Sequence, residues 1–429
     1  MIAGNAQTKY VGFRIDSTVR SAMLERSIPG LQMVVMKYGV VIKKGSYGIA
    51  NLEDRVTVTD SSLFAVASLT RGVTSAAILL LMQDGKLALD DVLTKYLDSL
   101  PAAWSGITIR QLMNQTSGLP DERENADKDS GGFVLARIIA KVSGQSYAGF
   151  LKEKIFDRLG MKNSRINDLR EIIPNRVAGY RLQDQQLLNG SNFSVDSQSG
   201  ADPVMLTNLT DLLKWSAALQ DTILLKKSSL DSMFAPALLR DGSTIAAGLG
   251  WYLTPYRDHR LISMQGSIKS GFNSSMEIYP EDGVCIIILS NFYQSETAQI
   301  SKDILGLFSS DYARASRMPL MDDPDSTLTA MLKRFYTGLG QNLDSTQRIM
   351  KQLHVAFYPG DEKDLMPFRD VDSFRFVRSL LISKPKRNIF GDEVAAVYLY
   401  EVKGSNQPLR FYAFSLNPEG RVVFMDPEE

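Results

Sequence analysis

The stretch FAVASLTRGVTSAAILLL, residues 64–81, is the most informative part of this chain for its fold. Its apolar residues recur at intervals of three and four, which predicts an amphipathic helix over 65–85. The recurring positions are Val73, Ala76, Ala77, Leu80 and Leu81. Gly85 stands where a C-terminal glycine ends a helix. Ser68 and Arg71 are three positions apart, so a helix places their side chains one turn apart on the same face.

Strand patterns stand before and after a long helical region. The runs LQMVVMKYG (31–39) and VVIKKGSYG (40–48) meet at a Tyr-Gly turn and predict a hairpin. Three later runs also predict strands: GLGWYL (248–253), SSMEIYP (274–280) and VCIIILSN (284–291). Most segments between about 85 and 220 have helical spacing. The fold class predicted is therefore α/β, with an antiparallel sheet flanked by helices and an all-α lobe.

Amphipathic helices are predicted to begin and end this first domain, over 13–26 and about 296–308. The apolar stripe of the earlier helix consists of Ile15, Val19, Met23 and Leu24. We place the first domain at 1–312 and a polar linker at 313–326.

The remaining residues, 327–429, predict a small α+β domain. Helical patterns cover 327–339 and 345–353. Successive antiparallel strands are predicted from the runs VAAVYLYEV (394–402), PLRFYAFSL (408–416) and RVVFMD (421–426). This domain carries no recognisable site signature, and its role is not predicted.

The composition argues against several classes of function. Lysine plus arginine equals aspartate plus glutamate, at 48 each, so no long-range field favours nucleic acid. The only cysteine, Cys285, lies in an apolar run and indicates a buried side chain rather than a disulfide or a reactive thiol. The two histidines, His259 and His354, have no carboxylate cluster at ligand spacing, so neither a metal site nor a cofactor is predicted. Neither a transmembrane segment nor a signal peptide is predicted.

Several segments, in order, resemble the serine β-lactamase-related family, which also includes penicillin-binding proteins, D-amino-acid peptidases and esterases. The resemblance covers roughly 10–312 and leaves out the C-terminal domain. The segments are Pro29-Gly30-Leu31, the stretch 64–81, GKLALDD (85–91), ITIRQLMNQTSGLPD (107–121), IFDRLGMKNS (155–164), DLLKW (211–215), GLGW (248–251), and Gly271-Phe272 leading into LSN (289–291). So many ordered segments make coincidence a poor explanation.

The resemblance implies a hydrolase site made of three elements, of which the first is a serine and a lysine. In the family, the serine attacks a carbonyl from a helix N-terminus and the lysine three residues later accepts its proton. Here the serine is Ser68, but the position of the lysine holds Arg71. A general base must be neutral part of the time, and a guanidinium with a pKa above about 12 is effectively always protonated. Arg71 can therefore stabilise an anion but cannot receive the proton of Ser68.

The other two elements are also replaced. A Tyr-x-Asn or Ser-x-Asn element, which relays protons and holds the substrate amide in the family, aligns with Lys128-Asp129-Ser130. A Lys-Thr-Gly or His-x-Gly strand, counted back from Gly271-Phe272, aligns with Gln265-Gly266-Ser267. The resemblance further implies that the backbone N–H groups of Ser68 and Ile268 form an oxyanion hole.

Three interpretations of function stay open. The leading one is a non-catalytic or nearly inactive homologue whose cleft, made cationic by Arg71 and Lys128, binds a carboxylate-bearing peptide or cell-wall-like ligand. The second is a divergent serine hydrolase, an esterase or peptidase, with Ser68 as nucleophile and Lys128 as substitute base, because Arg71 would lower the pKa of that lysine. The third is a scaffold that binds a protein partner through the C-terminal domain.

Each candidate residue also has a simpler interpretation without a role in catalysis or binding. Ser68 would only cap the helix, and Lys128 would be a solvated residue in a polar run. The family resemblance favours an exported, periplasmic protein, whereas the sequence itself leaves the location open.

Overall fold

The computed structural model describes residues 2–98, 100–119, 131–184, 186–190, 204–239, 241–257, 259–308, 322–338, 371–387, 393–404 and 410–427. The chain divides into two compact units. The first comprises Met1–Ala237 and Ala247–Ile304, and the second comprises Leu238–Ala246 and Leu305–Glu429. The short segment Leu238–Ala246 thus belongs to the second unit, although the residues before and after it belong to the first. Most of the predicted linker, 313–326, lies outside the described residues, and the predicted domain boundaries stay a prediction.

The secondary structure of the described residues follows the chain in two series. The strands are β1 (Gly30–Lys37), β2 (Val40–Asn51), β3 (Val56–Thr57), β4 (Phe64–Ala65), β5 (Arg165–Ile166), β6 (Tyr180–Gln183), β7 (Gln186–Asn189), β8 (Met205–Thr207), β9 (Ala237–Leu238), β10 (Thr244–Ile245), β11 (Ile262–Ile268), β12 (Phe272–Tyr279), β13 (Val284–Ser290), β14 (Val371–Arg387), β15 (Glu393–Gly404), β16 (Arg410–Leu416) and β17 (Val422–Pro427). The α-helices are α1 (Ile2–Glu25), α2 (Thr70–Gln83), α3 (Ile109–Met113), α4 (Gly131–Ser143), α5 (Tyr147–Leu151), α6 (Asp157–Leu159), α7 (Leu209–Ala218), α8 (Lys227–Met233), α9 (Thr297–Leu305) and α10 (Ser326–Gly338). Tighter 3₁₀ turns occupy Ala67–Leu69, Leu93–Lys95 and Ala102–Trp104, and a π-helical turn occupies Lys152–Phe156.

A six-stranded antiparallel sheet forms the centre of the first unit, in the order β11-β12-β13-β1-β2-β3. Its inner strands β1 and β13 are buried at nearly every residue, which explains their continuous apolar sequences. Leu31 of β1 pairs with Ser290, and Met36 pairs with Cys285. Burial of Cys285 is confirmed. The predicted α/β fold with an antiparallel sheet and flanking helices is confirmed.

The helix α2 is buried along almost its whole length, with Val73 and Ala77 inaccessible to solvent. It belongs to one hydrophobic core with the apolar side of α4. The prediction that the helix begins at residue 65 is wrong. Phe64 and Ala65 instead form β4, which pairs with β8, and Ala67 has a φ of 46°, outside the right-handed helical region. Gly85, with a φ of 70°, follows the helix as expected.

The strand prediction was wrong at two neighbouring places. Residues 248–253 form no strand, because Gly250 has a φ of 82° and lies so close to α2 that a Cβ there would come 2.4 Å from Ser75 Oγ. Tyr252 makes only isolated bridges, to Ala247 and Ser263. In contrast, residues 262–268 form β11, which the pattern missed because its Gln-Gly-Ser centre lacks apolar alternation.

The first helix, α1, packs one side against the sheet. Ile15 and Val19 are fully buried as the stripe predicts, but Leu24 is 84% exposed. Residue 24 is five positions after residue 19, which turns its side chain well away from the buried face. The prediction for Leu24 is therefore wrong.

The second unit is built on a sheet in which β14, β15, β16 and β17 are successive antiparallel neighbours. The segment 238–246 supplies β10, whose Ile245 pairs in parallel with β14. Leu328 and Leu332 of α10 pack on an aromatic core, where the rings of Phe374 and Tyr400 stack with centroids 4.8 Å apart. The small C-terminal α+β domain is confirmed. The long strand β14 was not predicted, and the helix predicted at 345–353 lies outside the described residues.

Candidate active site

Ser68 lies in the 3₁₀ turn Ala67–Leu69, which leads directly into α2. The preceding residue, Ala67, adopts a left-handed φ of 46°, a strained conformation for a residue with a Cβ. Thr70 holds this turn in place, because its Oγ1 donates to the Ala67 carbonyl at 2.7 Å and accepts from the Met205 N–H at 3.0 Å. The Ser68 side chain is half-buried, and it caps neither the turn nor α2 among the described residues. The simpler expectation that Ser68 only caps the helix is therefore not supported.

The strand β11 passes directly beside the Ser68 turn at Gly266. A Cβ at Gly266 would lie 2.4 Å from the Val66 carbonyl oxygen and 2.9 Å from the Ser68 backbone nitrogen. Both distances are shorter than a normal van der Waals contact, so glycine alone permits this approach. Ser274, which pairs with Gly266, donates from Oγ to the same Val66 carbonyl at 2.9 Å. The structure thus brings Ser68 and Gly266 together.

Because β11 is an edge strand, half of its backbone groups point away from the sheet. On that outer side, the Ser263 N–H donates to the Tyr252 carbonyl and the Ser263 carbonyl accepts from the Tyr252 N–H, both at 2.9 Å. Backbone direction alternates along a strand, so Gln265 and Ser267 also present their N–H groups outward. By the same alternation, the Ile268 N–H faces β12. The outward N–H next to Gly266 is that of Ser267.

The side chains of β11 alternate between the two faces of the sheet. The Cβ direction of Gly266 points toward Ser68, so the side chains of Gln265 and Ser267 point to the opposite face. Asn273, which pairs with Ser267, confirms that direction, because its Oδ1 accepts from Thr297 at the start of α9. The structure therefore places the side chains of the predicted residues Gln265 and Ser267 away from Ser68.

The side chain of Met264 lies on the same face of β11 as the Cβ direction of Gly266, toward the start of α2. Its side chain is 2% exposed, and its Cε lies 3.0 Å from the position that a Cβ at Gly72 would take. Gly72 directly follows Arg71 in α2. A thioether, which neither donates nor accepts a proton at ordinary pH, thus stands on the side of β11 that faces the start of α2.

Arg71 is the second residue of α2 and is half-buried. Its Nη1 donates to Gln115 Oε1 at 3.1 Å, and Gln115 has a left-handed φ of 61° just beyond α3. A cation in the first turn opposes the helix dipole, an effect of about 0.3–1 kcal/mol, and this first turn contains no acidic residue. Helix stability therefore does not explain an arginine at this position.

Two of the predicted site residues, Lys128 and Ser130, lie outside the described residues. The described chain resumes at Gly131, where α4 begins. Of the other predicted residues, the structure brings Ser68, Gly266 and the Ser267 backbone together beside the N-terminus of α2, where Arg71 is the second residue.

Residues 15–307 match the family model described as Beta-lactamase. The chain belongs to the beta-lactamase family. This beta-lactamase-family chain is 30% identical, over 305 residues, to Penicillin-binding protein 4* of Bacillus subtilis (strain 168). The match covers 59% of this chain and 66% of that protein, so it spans just under two thirds of the relative's length.

Solved structures of the beta-lactamase family share the fold. The octameric penicillin-binding protein homologue from Pyrococcus abyssi has a TM-score of 0.59 and 18% identity, with 94% of this chain and 96% of that chain covered. A class C beta-lactamase has a TM-score of 0.58 and 19% identity, with 70% and 97% covered. At these identities the likeness concerns the fold alone. The family resemblance seen in the sequence is confirmed.

Among the described helices, none combines the length and the apolar character needed to cross a bilayer.

Sequence reasoning did not single out Met264 or Gln115. Alternation along β11 would have indicated Met264 once Gly266 was known to touch Ser68. The Gln115 contact with Arg71 joins residues 44 positions apart and left no local signal.

Proposed function

We propose that this protein is a non-catalytic or nearly inactive member of its family that binds a carboxylate-bearing ligand, such as a peptide or cell-wall-like fragment, beside Ser68. The observation that carries this proposal is the guanidinium of Arg71 one turn after Ser68, beside the strand edge that approaches Ser68 at Gly266. A protein with the serine-hydrolase fold would then bind its ligand without hydrolysing it.

Inactivity is supported by the side chains around Ser68. Arg71 stays protonated at any ordinary pH, and the buried side chain on the neighbouring strand face is the thioether of Met264. In a serine protease, loss of the base lowers turnover about a millionfold. An oxyanion hole without a base retains only about 10³–10⁴ over water.

Anion binding is supported by the donors at the same place. The Ser68 N–H lies against Gly266, and the Ser267 N–H points out of the sheet edge beside it. We assign these two groups, rather than the N–H of Ile268, as the backbone donors. Arg71, held by Gln115, adds a planar cation that suits a carboxylate. Such donors can stabilise the carboxylate of a bound ligand as well as the oxyanion that forms during hydrolysis.

Acylation of Ser68 is the first test of this proposal. The wild-type protein and Ser68→Ala are incubated with a fluorophosphonate and with a labelled penicillin, and the adducts are measured by intact mass. We expect the two proteins to be indistinguishable. Rapid, stoichiometric labelling that Ser68→Ala abolishes would instead establish the divergent serine hydrolase, and loss of that labelling in Lys128→Ala would identify its base.

Ligand binding is the second test. Calorimetry compares N-acetyl-D-alanyl-D-alanine with its C-terminal carboxamide, which has the same shape but no charge. We expect the carboxylate to bind better, and Arg71→Gln to lose about 10- to 100-fold in affinity, because a charge-assisted hydrogen bond contributes about 1.5–3 kcal/mol. Arg110→Gln is the matched control, since Arg110 pairs with Asp90. Equal affinity for the acid and the amide would contradict the proposal.

A further inference from the structure

The face of β12 opposite to Ser68 holds a fully buried carboxyl group, that of Glu277. Ser274, three positions earlier, points to the Ser68 face, so alternation turns Glu277 to the side of α9. Its Oε2 accepts from Ser301 Oγ at 2.7 Å and from the Tyr279 hydroxyl at 3.0 Å. Its Oε1 is buried and has no hydrogen-bond partner among the described residues. This geometry leaves half of the carboxyl group without compensation.

The helix α9 is attached to β12 at two points one turn apart. At its N-terminus, Thr297 donates from its N–H and its hydroxyl to Asn273 Oδ1, at 3.1 and 2.6 Å. One turn later, Ser301 donates to Glu277. The first attachment is made by a neutral amide and the second by an ionisable group. Apolar residues complete the packing, with Ile300, Ile304 and Leu305 fully buried.

Charge on Glu277 is costly at this position, because burial removes its hydration and only one oxygen has donors. Burial raises the pKa of Glu277, against the opposing influence of Lys302 on α9 and of the hydroxyl groups of Ser301 and Tyr279. On β13, burial and the nearby Glu277 raise the pKa of Cys285 to about 12. The Lys302 ammonium also lies 5.1 Å from the centroid of the Tyr256 ring.

We propose that Glu277 is a proton-dependent clasp for α9. With its proton bound, the carboxyl group is neutral and can stay buried, so the helix is attached at both points. Loss of the proton strengthens the hydrogen bond from Ser301 but leaves a buried charge whose Oε1 has no donor among the described residues. Hydration of that charge requires α9 to move away from Glu277, while the Asn273 attachment persists. The chain passes from α9 into the second unit at Leu305. The clasp therefore acts on the helix with which the first unit ends.

The direction of the pH dependence follows from the raised pKa. The proton is bound more tightly in the folded protein than in the unfolded chain, where the ordinary pKa is 4.5. The stabilising contribution of Glu277 is therefore complete below that value and is lost as pH rises through the raised pKa. Within this window, each pH unit lowers the equilibrium constant for holding α9 by up to about tenfold.

Hydrogen exchange of the α9 amides, corrected for the intrinsic effect of pH, tests the clasp. Wild-type protein, Glu277→Gln and Asn273→Ala are compared between pH 5 and pH 9. The amide introduced by Glu277→Gln keeps the shape of the protonated acid without titrating, so we expect protection near residues 301–305 to fall with pH in the wild type and to stay constant in that variant. Asn273→Ala should weaken protection by the same factor at every pH. Identical pH profiles in wild type and Glu277→Gln would overturn the proposal.

A measurement on the wild type alone covers the case in which Glu277→Gln does not fold. Infrared spectroscopy detects a protonated carboxyl group through its C=O stretch, which is distinct from that of a carboxylate. We expect such a band to persist above the ordinary titration range of a glutamate and to disappear over the same range in which α9 loses protection. A band lost within the ordinary range, or lost without a change in exchange, would equally overturn the proposal.

Discussion

The two faces of the β11–β12 pair have opposite combinations of geometry and chemistry. Toward α2, Gly266 approaches Ser68 closely, and the neighbouring side chains among the described residues are Arg71 and Met264. Toward α9, Glu277 is a titratable group in a fully buried setting with no reacting partner among the described residues. The hydroxyl group of Ser68 and the titratable carboxyl group of Glu277 therefore lie on opposite faces of this strand pair.

The largest change in the reactivity of Ser68 is expected from Arg71→Lys. A lysine amine can lose its proton, so it restores a base one turn after Ser68. Because the sequence predicts that the second element is also replaced, we expect only the lower end of general-base catalysis, about a 100-fold faster adduct formation with a fluorophosphonate. Arg71→Gln is the control without a base. If both variants react at the wild-type rate, the arginine does not limit acylation.

An intermediate effect is expected from Gly266→Ala. The new Cβ would meet the Val66 carbonyl and the Ser68 nitrogen, neither of which can rotate away, so we expect a loss of about 1–3 kcal/mol in the free energy of unfolding, measured in urea. The carboxylate ligand should bind more weakly as well. Gly106→Ala is the matched control, because a Cβ there meets nothing within 4 Å. An unchanged stability of Gly266→Ala would mean that the strand does not press on the Ser68 turn.

The smallest effect is expected from Gln115→Ala. Its side chain is exposed and only orients Arg71, so the free energy of unfolding should change by less than about 0.5 kcal/mol. Affinity for the carboxylate ligand should fall about two- to fivefold, because the ligand must then supply the ordering of Arg71 that the Gln115 contact provided. Calorimetry and urea unfolding on the same preparation measure both quantities. A large loss of stability would assign Gln115 a structural role instead.

Much of the fold was predictable because its signals are local. The helix α2, the β1–β2 hairpin and the strands β12 and β13 follow from apolar periodicity and turn residues. The strand β11 was missed because it is an edge strand whose central residues, Gln-Gly-Ser, show no apolar alternation. The start of α2 was placed five residues early because a left-handed Ala67 and the pairing of β4 with β8 override helical periodicity.

The family, the position of Ser68 and the chemical consequence of an arginine at residue 71 can be read from the sequence, since a guanidinium stays protonated in almost any protein environment. Three other properties become visible only in the folded chain: the outward N–H groups of β11, the position of Met264 instead of Gln265 on the side of Ser68, and the burial of Glu277 under α9. These properties depend on strand direction and burial, which arise from pairing between residues far apart in the chain.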